Sequence, residues 1–288
     1  MRKPADVYRA LEAPVPCLEL RLDYLEAGLA EVRPALEQAV AKKTVIFTVR
    51  RREEGGAWRG SEEGRAGLYL RLLELNPHYV DVEAGASIAG EVAAARGRTF
   101  LIVSRHDFGG TPPVDVLFSW AVEAAEVGDV VKVVTYAREP RDGLRVLSLI
   151  GAVEKPTVAF AMGPAGAYTR VAAAALGSPI IYVSLGEATA PGQMTADAYY
   201  TALLAIGTPP AGQELPTLRE TLDWVDSGLM YLLKKRLEIC RDIGKLKKAA
   251  GLPIYDDTRE TQVLKKAGNF KQIFDLIIQM CKAVQIVA

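Results

Sequence analysis

Short apolar, β-branched runs alternate with longer Ala-, Leu- and Glu-rich stretches over the first two thirds of the chain. The runs are "CLELRLD", "TVIFTVR", "YVDVEA", "TFLIVSRHD", "DVVKVVTYA", "TVAFAMG" and "IIYVSLG", each followed by a loop and a helix-like segment. Near-continuous apolar strands separated by helical stretches predict repeated βα units, hence a parallel sheet covered by helices. Seven strands are predicted, one short of a closed barrel of eight. The segment before Cys17, "PADVYRALEAPVP", reads as a helix with no strand before it, so either the start is truncated or the first strand position is vacant.

The pattern changes at "GTPPAGQELP" (207–216), a Pro/Gly-rich stretch without periodicity that reads as a linker. Beyond it no strand pattern remains. Leu218, Leu222, Val225, Leu229, Leu237, Cys240 and Ile243 recur at helical spacing in one long run, and two shorter helices follow. The expected organisation is therefore a βα-barrel domain over 1–206, the linker, and a small all-α three-helix domain over 217–288.

Composition adds little to the fold and more to what is excluded. The 288 residues carry 35 Lys+Arg against 35 Asp+Glu, a balance that argues for neither nucleic acid nor an anionic membrane as partner. No apolar run approaches the ~20 residues of a membrane span, and the N-terminus lacks a secretory apolar core. The three cysteines, Cys17, Cys240 and Cys281, are far apart and in apolar surroundings, as expected of reduced thiols in a cytoplasmic protein. None has metal-ligand spacing and only two histidines occur, so chemistry without metal or cofactor is expected. Residues 217–288 hold 13 Lys/Arg against 9 Asp/Glu. That excess suits an anionic small ligand, or else a solvated face.

In a parallel βα barrel the C-terminal strand ends face the site, which makes the polar residues there candidates. Glu19 and Arg21, Arg50, His106, Lys132, Arg170 and the loop "ATAPGQ" with Thr189 and Gln193 all fall at such ends. Lys132 alternates with Val130 and Val134 on one strand face. It is either a lysine guarding a sheet edge or an inward amine, and a neutral amine so placed forms a Schiff base with a ketone. His106 is either a proton shuttle or a histidine satisfied by Asp107. Glu54, in the charged run "RRREEGG", either orients His106 or belongs to a solvated loop. The turn "MGPAGAYTR" offers backbone amides and, in Arg170, a carboxylate clamp.

Taken in order, "ELRLD", "FTVRRREEGG", "SRHDF", "VKVVTYA", "MGPAGAYTR" and "ATAPGQ" resemble the type I 3-dehydroquinate dehydratases over nearly the whole first part. That resemblance implies a (β/α)8 TIM-type barrel that dehydrates 3-dehydroquinate to 3-dehydroshikimate, with the family's first strand missing from the pattern. It implies that Lys132 forms an iminium with the substrate ketone. His106, held by Glu54, would take a proton from the adjacent carbon and assist loss of the hydroxyl. Glu19, Arg21, Arg50, Arg170, Thr189 and Gln193 would bind hydroxyls and carboxylate.

In the long helical run Arg236 and Lys247 share a face about 16 Å apart, whereas Arg219 lies some 25 Å before Arg236 and is rotated away by about 100°. Asp256, Arg259 and Glu260 fall at i, i+3 and i+4. Cys281 and Gln285 are one turn apart. From "LRETLDWVDSGLMYLLKKRLEICRDIGKLK" through "DDTRE" to "IFDLIIQMCKAVQ" the chain resembles the all-helical chorismate mutases. The resemblance implies an intertwined homodimer that rearranges chorismate to prephenate. Arg236 and the partner's Arg219 would clamp carboxylates, Lys247 and Gln285 would address the ether oxygen, and Asp256 and Glu260 would contact the hydroxyl region. Arg259 and Cys281 complete the expected pocket, Cys281 standing where serine is usual.

The expectation is thus a bifunctional enzyme of aromatic amino-acid synthesis whose partners are its small-molecule substrates. Two alternatives stay open on the sequence. The helical part could serve only as a dimerisation or ligand-sensing module for the dehydratase, and the barrel could be another Schiff-base enzyme such as an aldolase.

Overall fold

The structure is a computed structural model that describes residues 3–13, 15–185, 192–205 and 215–287. It divides into two compact units, Met1–Ala196 and Asp197–Ala288.

The first unit alternates strand and helix in chain order: α1 (Pro4–Leu11), β1 (Cys17–Arg21), α2 (Leu29–Lys42), β2 (Thr44–Thr48), α3 (Glu62–Leu73), β3 (Tyr79–Glu83), α4 (Ala89–Ala95), β4 (Phe100–His106), α5 (Val114–Val127), β5 (Val130–Tyr136), α6 (Pro140–Leu147), β6 (Thr157–Met162) and α7 (Thr169–Ala175). The strands form one parallel sheet in the order β1-β2-β3-β4-β5-β6. This is a curled half-barrel of the (β/α)8 type. β5 and β6 are buried on both faces, which is why their sequences show continuous apolar runs and not alternation. One face carries Ile46, Ile102, Val130, Val134, Val158, Phe160 and Met162, which pack into the barrel interior.

"IIYVSLG" is not the seventh strand that its β-branched pattern predicts. Ile180 to Val183 form no ladder, and Ser184 makes a single bridge to Thr195. The carbonyls of Ile180 and Tyr182 are taken by side chains, Ser178 Oγ at 3.1 Å and Arg170 Nη1 at 3.1 Å. On the far side β1 presents an edge with no strand hydrogen-bonded to it among the described residues, and a cleft of about 240 Å³ separates β1 from Ile180–Ser184. Side-chain donors thus satisfy carbonyls that a ladder to the end strand β6 would otherwise use, and the segment stays outside the sheet.

The second unit contains α8 (Ala196–Ala205), α9 (Leu215–Ala249), α10 (Asp257–Ala267) and α11 (Lys271–Val287), so the long helix begins within the expected linker. At 35 residues α9 is about 50 Å long. Gly244 lets α11 approach it closely: a Cβ there would meet the Cα and carbonyl oxygen of Gln285 at 2.8 Å. Asp256 caps α10, its Oδ1 accepting the Arg259 N–H at 2.9 Å. A cap of this kind is worth about 1 kcal/mol. Among the described residues no helix is long and apolar enough to cross a membrane.

Candidate active sites

Side chains alternate along a strand, so the interior of the barrel receives every second residue. Toward the C-terminal ends those positions become polar: Glu19 and Arg21 on β1, Thr48 on β2 with Arg50 just beyond it, Asp81 and Glu83 on β3, Ser104 and His106 on β4, and Lys132 on β5. The ends converge on a cleft of about 110 Å³. Glu19, Arg21, Arg50, Glu54, His106, Lys132, Arg170 and Gln193 all line it. Thr189 lies outside the described residues.

Lys132 is buried in the interior among strand neighbours, not on a sheet edge. Its Nζ donates to Asp81 Oδ2 at 2.8 Å, lies 3.8 Å from Glu19 Oε1, and sits 4.0 Å above the centre of the Tyr182 ring. Asp81 is the hub. Its Oδ1 also accepts from Arg50 Nη2 at 2.7 Å and from Ser104 Oγ at 2.6 Å. Burial alone pushes the Asp81 carboxyl up, but Arg50 and Lys132 outweigh it and hold the group well below the usual carboxylate range. Asp81, Glu83 and Ser104 were missed by the sequence reading, although "YVDVEA" carries the signal: two carboxylates at alternating positions in an otherwise apolar strand. Asp81→Asn strips both buried cations of their shared carboxylate. Breaking such a pair costs about 3–5 kcal/mol, so urea unfolding of this variant is expected to show a loss of that order.

His106 is not satisfied by Asp107, whose Oδ1 accepts the Gly109 N–H at 2.7 Å. Its partner is Glu54. One carboxylate oxygen, Oε2, receives the His106 backbone N–H at 2.9 Å and lies 3.0 Å from Nδ1. The other accepts from Arg51 at 3.1 Å. Glu54 is delivered by a 3-10 turn, Arg52–Glu54, that ends at Gly55. There φ is +76°, a left-handed conformation that favours glycine, and a Cβ would press on the Phe108 ring at 2.6 Å. Burial, followed by the charges of Arg50 and Lys132, drives the His106 pKa well below its ordinary value. The imidazole is therefore neutral near pH 7. With its Nδ1–H directed at Glu54, its Nε2 lone pair is left to accept a proton.

The remaining cations differ in their pairing. Arg21 grips Asp23 in a two-bond fork at 2.8 and 2.7 Å. Among the described residues no carboxylate pairs with Arg170. It stacks 4.2 Å over the Phe160 ring, its Nε is buried without a partner, and burial lowers its pKa to about 10. A buried guanidinium at the cleft whose described partner is a neutral carbonyl, Tyr182 O, suits an anion. Glu19, which also lines the cleft, accepts from Thr48 Oγ1 at 2.8 Å.

The second unit holds a separate cleft of about 340 Å³. Arg236, Lys247, Asp256, Arg259, Glu260, Cys281 and Gln285 line it, while Arg219 is exposed and outside it. Lys247 Nζ donates to the Ile254 carbonyl at 2.8 Å, Glu260 pairs with Lys282 at 2.7 Å, and Gln285 Oε1 is buried without a partner. Asp256 is committed in part to its cap, a role that the i, i+3, i+4 reading of one helix face did not anticipate.

Comparison with known proteins divides the chain in a similar way. The family model "Type I 3-dehydroquinase" matches residues 3–209, and "Chorismate mutase type II" matches residues 218–286. The 3-dehydroquinate dehydratase of Pyrobaculum aerophilum is 77% identical over 288 residues, covering 100% of this chain and 96% of that protein. That of Thermococcus gammatolerans is 44% identical over 183 residues, 62% of this chain and 82% of the relative. Among solved structures, the 3-dehydroquinate dehydratase of Geobacillus kaustophilus superposes with a TM-score of 0.65 at 26% identity, covering 72% of this chain and 86% of that one. The type I enzyme of Clostridium difficile, solved with covalently modified comenic acid, gives 0.66 at 21% identity, covers 72% of this chain and 89% of that one, and shares the fold.

Proposed function

The chain belongs to the type I 3-dehydroquinase family, and from that premise we propose that its first unit dehydrates 3-dehydroquinate through an iminium on Lys132. The observation that carries this reading is the convergence of Lys132, His106 and Arg170, which has no carboxylate partner among the described residues, on one cleft. Arg170 receives the substrate carboxylate, which orients the ring. The Lys132 amine adds to the ketone and water leaves, giving a cationic C=N bond. Asp81, already paired with the ammonium, stabilises that cation. His106 Nε2 takes the proton from the carbon next to the iminium, and the electron pair flows into the C=N bond. The same histidine, now protonated, gives its proton to the departing hydroxyl, and hydrolysis of the imine frees product and lysine. Nitrogen serves as the electron sink throughout.

The depressed His106 pKa sets the pH profile. A base acts when deprotonated, so the acid limb of kcat/KM is expected to fall below pH 6.5, the ordinary histidine value. Initial rates across pH 4 to 8 check this; a limb at or above that value contradicts the assignment.

We further propose that the second unit rearranges chorismate to prephenate as a homodimer. The rearrangement needs fixed positive charge near two carboxylates and donors at the ether oxygen, whose negative charge grows as its bond breaks. Arg236 and Lys247 supply charge and a donor from one cleft. Arg219, exposed near the start of α9, is available to a partner's cleft. The same part of α9 exposes Leu218, Leu222, Val225 and Leu229 along one stripe, an apolar face that a second copy would cover. The intact chain, assayed separately with 3-dehydroquinate and chorismate, tests both activities, and sedimentation at low and high concentration tests the dimer. Binding of chorismate without turnover would leave the helical unit a sensing module.

A further inference from the structure

Two of the three cysteines meet across the α9–α11 seam. Gly244 faces Gln285 at near backbone contact, and one turn earlier Cys240 occupies the equivalent position opposite Cys281. Each pair is 41 residues apart, so the two helices run parallel through this seam with a constant register. Both cysteines are buried at this seam. A single guanidinium atom, Arg236 Nη1, touches Cys281 Sγ and lies 3.9 Å from Cys240 Sγ. Both cysteines line the cleft that holds Arg236, which gives a small reagent a route to them. Disulfides need Cα atoms about 4.4–6.8 Å apart, a spacing that helices reach only where a small residue lets them close up, as Gly244 does here.

We propose that Cys240 and Cys281 form a thiol–disulfide pair whose oxidation switches off ligand binding in the helical cleft. The functional half of this statement rests on the mutase reading; the chemical half does not. Any small disulfide, RSSR, serves as the oxidant. The Cys240 sulfur attacks one of its sulfurs, the RS–SR bond breaks, and the first RSH departs with the thiol proton. The Cys281 sulfur then attacks the mixed disulfide on Cys240, forms the intrachain S–S bond and releases the second RSH. Two thiols are oxidised and one disulfide is reduced. The new bond draws both sulfurs together, removes their protons and shifts the surface against which Arg236 rests. A carboxylate clamp displaced by about 1 Å loses on the order of a hundredfold in activity, so a fall of at least about tenfold is expected.

The test uses the full reduced chain treated with bis(2-hydroxyethyl) disulfide. Titratable thiols in denaturant should fall from three to one, the intact mass should fall by two hydrogens, and a peptide digest should join Cys240 to Cys281. Chorismate conversion should drop at least tenfold, dehydration of 3-dehydroquinate should not change, and dithiothreitol should restore the first. Cys240→Ser should convert chorismate at a rate indifferent to the reagent. Cys17→Ala should keep the sensitivity and go from two thiols to none. A linkage through Cys17, a persistent mixed disulfide, or three remaining thiols overturns the proposal. So does a clean Cys240–Cys281 bond that leaves chorismate conversion unchanged. A reduced chain that converts no chorismate refutes the mutase reading instead, and the thiol count and joined peptide still decide the bond.

Discussion

Replacing Lys132 by alanine is expected to lower dehydration of 3-dehydroquinate by about 10⁴-fold or more, the scale seen when a catalytic nucleophile is removed. Among the described residues no other lysine lines the barrel cleft, so no neighbouring amine takes its place there. The fold should survive: Asp81 keeps Arg50 as a partner, and the truncated side chain leaves an apolar stub between Val130 and Val134. Lys132→Arg sharpens the result. It preserves the positive charge against Asp81 but offers no nucleophile, because guanidinium stays protonated. Equal loss in both variants, each still unfolding in a cooperative transition, assigns the effect to covalent chemistry. Recovery of activity in the arginine variant would mean that charge alone suffices.

Replacing His106 by alanine should separate bond formation from proton transfer. The Lys132 amine still meets the ketone, so the imine forms. Abstraction of the neighbouring proton has no base, and general-base catalysis of this kind contributes about 10²–10⁴-fold. The expected variant accumulates covalent adduct while turning over slower by that factor, visible as a stable mass increase when substrate is added. Glu54→Gln should show a weaker form of the same behaviour, since the amide still accepts the Nδ1–H but no longer stabilises the imidazolium. Full turnover in His106→Ala would remove the histidine from the mechanism.

Much of this was legible in the sequence because a barrel obeys a simple code. Period-two alternation placed Lys132 between Val130 and Val134, and strand ends located Glu19, Arg21, Arg50 and His106 before any coordinates. The seventh strand failed for the opposite reason. "IIYVSLG" has the right residues, but strand formation depends on a neighbouring edge, and partner geometry is not written in a local pattern. Asp81 is less legible: a carboxylate in mid-strand reads equally well as a buried structural ion-pair partner, and nothing local to "YVDVEA" names its cations. Its role emerges from three residues distant in sequence, Arg50, Ser104 and Lys132. In the helical unit, spacing placed Arg236 and Lys247 on one face and set Arg219 apart. It could not reveal that Cys240 and Cys281 meet, since that depends on the close crossing at Gly244.

The central claim is that this cleft works by an iminium on one particular lysine. Borohydride reduction of the intact chain during turnover of 3-dehydroquinate, followed by peptide mass spectrometry, tests it directly. The account predicts a single irreversible adduct on the peptide containing Lys132, with loss of activity in proportion to labelling. Turnover that proceeds with no trapped adduct, or an adduct on any other lysine, would contradict it.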